Sequence, residues 1–215
     1  MAYNRRPSLW LGPKQRARLQ TVVVLIIITV LIILLIPYFK GIAQMKNFQT
    51  CQNNLRKIQE AMQVYMGDWD DTFPLAANWS YAVSANMSAT SGMAKNKSIY
   101  FRCPLDRSKK PWSYAYNTIF SGYNPNSGET QFAFGSGKNK QTLPRPIHPN
   151  SSPVIFEHFA SNNNEHFLLR TWGDLKKDMT FPHMLPDPTG SYIAGNGRVY
   201  RLTPADLSGD MSDKL

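Results

Sequence analysis

Three observations predict an α+β protein in which a long N-terminal helix packs on a small antiparallel β-sheet. Leu19 to Phe39 is an apolar run interrupted only by Gln20, Thr21 and Thr29. Apolar residues then recur at helical steps from Cys51 to Trp69. After Pro74 the texture changes to short apolar or aromatic runs separated by Gly, Pro, Asn and Ser, the pattern of strands and turns.

The first run has the length of a membrane span. About 21 residues rising 1.5 Å each make a helix of ~31 Å, against a hydrocarbon core of about 30 Å. Val22 to Ile36 carries roughly 14 aliphatic side chains, each worth about −0.3 to −0.6 kcal/mol near the bilayer centre, or about −4 to −8 kcal/mol in total. Every backbone amide in lipid must be paired within the segment, so the run is helical despite its Val and Ile content. Arg5, Arg6, Lys14, Arg16 and Arg18 precede the span with no acid among them. Lys40 and Lys46 on the far side weaken this asymmetry without reversing it. The positive-inside rule therefore puts the N-terminus in the cytoplasm.

The expected organisation is a basic cytoplasmic tail over 1–15, a transmembrane helix over 16–39, an exported domain over 40–207 and a flexible tail over 208–215. Such a protein is a single-pass resident of the inner membrane, with its domain periplasmic or extracellular. The lipid bilayer is its first partner. Gly41-Ile42-Ala43 leaves a second reading open, a signal peptide cleaved after Ala43. The net charge of +10 does not point to nucleic acid, because half of it precedes the apolar run and the exported part shows no Lys/Arg stripe.

The helix is expected to continue past the membrane. Pro13 suits its first turn, Pro37 should kink it near the outer membrane surface, and Gly67 should end it. Cys51, Leu55, Ile58, Met62, Tyr65 and Trp69 form one apolar stripe, opposite Gln52, Asn53, Arg56, Lys57, Gln59, Glu60 and Gln63. Leu55, Ile58, Met62 and Tyr65 are the predicted packing face. Predicted strands are Ile99–Arg102, Trp112–Tyr116, Gln131–Phe134, Val154–His158, Phe167–Trp172, Tyr192–Gly195 and Arg198–Leu202. Asn196-Gly197 predicts a two-residue hairpin turn with both residues at positive φ. Ser136 to Asn150 reads as a basic loop.

Cys51 and Cys103 are the only cysteines and stand in neither metal-ligand nor Cys-x-x-Cys spacing. In an exported domain a lone pair forms a disulfide or remains as two buried thiols, and the first is expected in an oxidising compartment.

A half-membrane, half-amphipathic helix followed by a small sheet resembles the type IV pilins and type II secretion pseudopilins. The match is nearest to pilin-like proteins that close on a His-then-Asp-Gly signature. Pro37 and Cys51 have the spacing seen there, and Cys51-Gln52-Asn53-Asn54-Leu55-Arg56-Lys57-Ile58 follows a Cys-x-x-Asn-Leu-basic-x-Ile motif. Tyr65, the acidic turn, Thr72-Phe73-Pro74, Phe101-Arg102-Cys103-Pro104, Ser113-Tyr114-Ala115-Tyr116-Asn117 and Ser152–His158 continue the resemblance in order. It implies a structural role, with partners among other pilin-like or secretion-system subunits reached through the N-terminal helix. The processing site departs from the pattern. Gln15 stands where the cleavage glycine would be, Arg16 at the following aromatic and Gln20 at the glutamate of the span. The closing signature also differs, since Asn196 replaces its Asp and His183 lies further upstream.

Chemistry-bearing residues are sparse. His148, His158, His166 and His183 form no ligand-spaced pair, Glu157 and His158 point to opposite faces of a strand, and no nucleophile elbow or phosphate loop appears. No enzymatic activity and no cofactor is expected. Asp68, Asp70 and Asp71 offer oxygen ligands to Ca²⁺ or form a solvated turn. Trp79, Tyr81, Trp112, Tyr114, Tyr116 and Trp172 are expected in the core and sheet. Two function classes follow: a pilin-like or pseudopilin-like structural subunit that escapes prepilin processing, and an anchored exported module that binds an envelope partner or ligand.

Overall fold

The computed structural model describes residues 13–87, 97–130, 133–134, 141–142, 145–162, 164–184 and 187–207. Residues 1–12 of the expected basic tail, the expected tail over 208–215, Gln131, Phe132 and residues 136–140 and 143–144 of the predicted loop lie outside the described residues. The chain divides into two compact units, Met1–Ala43 and Gln44–Leu215. Helix α1 (Pro13–Asp68) begins and ends within a residue of the predicted limits and contains Pro37 without ending there.

In the first unit every described side chain from 17 to 43 is exposed, including Leu34 at 64% and Ile33 at 60%. So large an uncovered aliphatic surface is foreign to a helix in water. By length and composition it is a helix able to cross a membrane.

In the second unit α2 (Trp79–Asn86) follows α1, and a 3-10 turn spans Lys97–Phe101. The chain then forms β1 (Trp112–Asn117), β2 (Tyr123–Asn124), β3 (Glu129–Thr130), β4 (Ala133–Phe134), β5 (Gln141–Thr142), β6 (Pro153–Ser161) and β7 (His166–Phe167). Helix α3 (Trp172–Asp178), β8 (His183–Met184), β9 (Pro188–Ala194) and β10 (Val199–Leu202) complete it. The main sheet has the order β10-β9-β6-β1-β7, with β8 against the start of β9. All its pairs are antiparallel except β1 with β7, which is parallel. The fold class is therefore α+β, with a long N-terminal helix and a small, mostly antiparallel sheet.

Both faces of the sheet are covered. Tyr114, Tyr116, Ile155 and Ile193 share one core with Cys51, Leu55, Ile58 and Met62 of α1 and with Trp79 of α2. Ala115, Phe156, Tyr192 and Ala194 point the other way and pack with Leu169, Leu175, Met179 and Leu207. The alternation follows from the two-residue period of a strand. Coverage on both sides explains why β1 is buried at every position. Leu55 and Ile58 are wholly buried, each worth about 1.5–3 kcal/mol of apolar transfer. Met62 is 3% exposed and Tyr65 is half-buried. Trp69, read from the sequence as the end of the stripe, is instead 60% exposed, because it lies just past the last helical residue, Asp68.

Four local expectations change. Ile99–Phe101 belongs to a 3-10 turn and Arg102 follows it, neither in a strand, since β1 already has β6 on one edge and β7 on the other. Of the strand predicted over 167–172, Phe167 pairs with Asn117 of β1 and Thr171 makes an isolated bridge. Thr171 then caps α3 by accepting from the Asp174 amide at 3.1 Å, while the Asp174 carboxylate accepts from the Thr171 amide at 3.0 Å. Helix α2 was not expected at all. In the closing hairpin only Gly197 has positive φ, at 75°, and Asn196 does not. The Gly197 amide donates to the Ala194 carbonyl and the Ala194 amide to the Arg198 carbonyl, which makes a type I turn closed by a glycine bulge.

Candidate functional site

Cys51 on α1 and Cys103, two residues beyond the 3-10 turn, are joined in a disulfide with Cα atoms 5.0 Å apart, and both are wholly buried. The expected bridge is therefore present, as suits an oxidising compartment. Its surroundings are fixed by hydrogen bonds on either side. Asn54 Nδ2 donates to the Arg102 carbonyl at 2.9 Å, and the Cys103 amide donates to Ser113 Oγ at 3.1 Å.

Beside the bridge lies a buried polar pair. Glu157 of β6 faces α1 because it alternates with Phe156 and His158, and it lies opposite Tyr114 of β1. His183 of β8 presents Nε2 to Glu157 Oε1 at 3.0 Å, and the Ser191 amide donates to Glu157 Oε2 at 2.8 Å. Glu157 is 0% and His183 is 1% exposed. Burial pushes the Glu157 carboxyl above its ordinary value, and the hydrogen bond and charge of His183 and the Ser191 amide oppose that shift. Burial also pushes the Tyr114 hydroxyl well up, and the nearby Glu157 adds to it. The His183 ring packs edge-on against Phe48 at 4.8 Å, yet its Nδ1 is buried without a hydrogen-bond partner. One donor atom each from Cys51, Cys103, Glu157 and His183 lie within 4.8 Å of one another.

The sequence reading placed Glu157 and His158 on opposite faces, and they are: His158 lies against Phe167 at 4.7 Å, away from the bridge. It missed the pairing of Glu157 with His183, which are 26 residues apart. One signal was available. An acid directly after Val154-Ile155-Phe156, in a strand with no polar alternation, must be buried and must have a partner.

The acidic turn has a structural occupation. Asp70 and Asp71 adopt positive φ, 48° and 56°, and the Asp71 amide donates to the Met66 carbonyl to close the helix. Asn124 Nδ2 donates to the Asp70 carbonyl at 2.5 Å and Asn126 Nδ2 to Asp71 Oδ2 at 2.6 Å, tying the turn to the β2–β3 ribbon. Asp68 is exposed at the end of α1. The ligand-type side chains that converge are those around the disulfide and not these three.

Near this turn Trp69 stacks on Tyr65 with centroids 5.6 Å apart. With Leu75, Asn78, Ala82 and Asn86 they line an open groove of about 390 Å³. Of the aromatics expected inside, Trp79, Trp112, Tyr114 and Tyr116 are buried, Trp172 is half-buried, and Tyr81 is 59% exposed on the outer side of α2. At the degenerate processing site Gln20 is exposed, and the side chains of Gln15 and Arg16 are outside the described set.

Comparison with protein-family models, with curated proteins and with solved structures finds no match to this chain.

Proposed function

We propose that this chain is a membrane-anchored, pilin-like structural protein of a secretion or surface-filament system, and that it keeps its basic N-terminal tail. The observation that carries this reading is helix α1, whose lipid-type stretch over 17–43 continues without a break into residues that form the core of an α+β unit. A helix of that kind serves both as an anchor and as the packing spine of the exported domain. Gln15 in place of a cleavage glycine leaves prepilin peptidase without its small residue. Arg16 and Arg18 would cost several kcal/mol if drawn unpaired into lipid or protein, so they hold the helix at the depth of a plain anchor. The protein caps or contacts a filament and does not repeat along it.

Cell fractionation with intact mass of the native protein tests this. The full chain, tail attached, is expected in the inner membrane fraction. A mature N-terminus at Arg16, or the protein as a major component of sheared filaments, refutes the reading. A mature N-terminus just after Ala43 refutes the anchor itself.

The Tyr65–Trp69 groove favours a second reading, an exported binding module with no filament role. A photocrosslinker placed at Ala82 separates the two. A module gives an envelope adduct that Trp69→Ala abolishes, whereas a structural subunit gives its adducts from the exposed face of α1.

A further inference from the structure

We propose that Cys51 and Cys103 in their thiol form, together with Glu157 and His183, make a tetrahedral Zn²⁺ site, so that one buried core holds either a disulfide or a zinc ion. The inference goes beyond the structural role above and does not depend on it.

The four residues come from four separate segments, α1, the loop after the 3-10 turn, β6 and β8, and the fold alone brings them together. Two thiolates, an imidazole and a carboxylate are the donor types zinc prefers in a four-coordinate site. With bonds of about 2.0–2.3 Å, the donors of such a site stand roughly 3.2–3.8 Å from one another. The widest-spaced of the present atoms, within 4.8 Å of one another, draw in by about an ångström, and the two sulfurs, about 2 Å apart while bonded, part by roughly 1.7 Å to complete the set.

A second observation is independent of that geometry. His183 Nδ1 has no hydrogen-bond partner although it is buried, and so the ring gives up at most its bond to Glu157 on turning to a metal. An acid and an imidazole enclosed beside a disulfide cost desolvation that an apolar pair of the same volume would avoid. Metal ligation gives both a use that core packing does not.

The two states interconvert with balanced chemistry. A dithiol reductant of the envelope transfers two electrons and two protons to the Cys51–Cys103 bond, leaving two thiols and its own disulfide. Zn²⁺ then displaces both thiol protons to solvent. Reoxidation by a disulfide-bearing oxidant removes the two electrons and expels the ion. A chain exported with its cysteines reduced therefore has a folded, metal-bound state before any oxidant acts.

Cobalt(II) reports on this site directly. The full-length chain in detergent is unfolded and reduced in urea with a phosphine, then refolded without oxygen in the presence of Co²⁺. The expected result is one Co²⁺ per chain, a thiolate-to-cobalt charge-transfer band, and a native near-ultraviolet dichroism spectrum. The oxidised chain and the Cys51→Ala/Cys103→Ala chain should show no such band. His183→Gln and Glu157→Gln should each weaken affinity by at least about tenfold. As a second measurement, Zn²⁺ should slow alkylation of both thiols in the reduced parent by at least about tenfold, an effect lost in His183→Gln. A reduced parent with no charge-transfer band, folded or not, overturns the proposal. So does His183→Gln with the parent's affinity, which would mean that the two thiolates capture metal unaided.

Discussion

Replacing the bridge by Cys51→Ala/Cys103→Ala should destabilise the second unit by about 5–6 kcal/mol. The two cysteines are 52 residues apart in sequence. Closing a loop of that length removes about 14 cal/mol/K from the unfolded chain, or about 4 kcal/mol at 25 °C. Each lost sulfur also leaves a small void in a wall where both cysteines are 0% exposed, at about 0.5–1 kcal/mol each. The assay is urea unfolding of the full-length protein in detergent with a metal chelator present. Near-ultraviolet dichroism and the emission of Trp79 and Trp112, both in the core, follow the transition. With a slope of about 2 kcal/mol/M, the midpoint should fall by roughly 2.5–3 M, and the helix of the first unit should be unaffected. A fall of less than about 0.5 M would refute the reasoning. It would mean that packing in the native state or residual structure in the unfolded state already holds the 51–103 loop closed.

Leu55→Asp should unfold the second unit while leaving membrane insertion of the apolar helix intact, because it buries a carboxylate at a position with 0% exposure. Protease resistance equal to the parent's would show that this face of α1 serves a partner instead. Gly195→Ala should cost about 1–3 kcal/mol in the same urea assay, since a Cβ there would stand 1.9 Å from the Pro149 carbonyl oxygen, a backbone atom that must move. An unchanged midpoint would show that the 149–152 turn yields freely. Glu157 should make stability fall with rising pH. Its folded carboxyl is raised by burial, so its contribution is fully present below the unfolded value of about 4.5 and is lost as pH rises from there through the folded value. Glu157→Gln should remove that fall above about pH 4.5, and an identical slope in parent and variant would assign it to another group.

Some of this protein was legible in the sequence because the physics there is local. The stretch from Leu19 to Phe39 needs no tertiary information, since length and hydropathy alone decide whether a helix suits lipid. The face carrying Leu55, Ile58 and Met62 followed from the helical period, and β1, β6 and the closing hairpin from short apolar runs bounded by turn residues. The disulfide stayed one of two readings until the fold brought Cys51 and Cys103 to 5.0 Å between Cα atoms. Segments with the composition of a strand but no free sheet edge were another matter. Ile99–Phe101 is apolar enough to pair, and it lies in a 3-10 helix because β1 is already flanked on both sides. At 167–172 a capping box on Thr171 and Asp174 outweighs the strand pattern, a local signal that was present and unread. The Glu157–His183 pair beside the disulfide is different in kind. It joins two strands that meet through β9, and a chain read one residue at a time carries no measure of that distance. Hydrophobic period tells each residue which way to face; only the closing of the sheet decides what it faces.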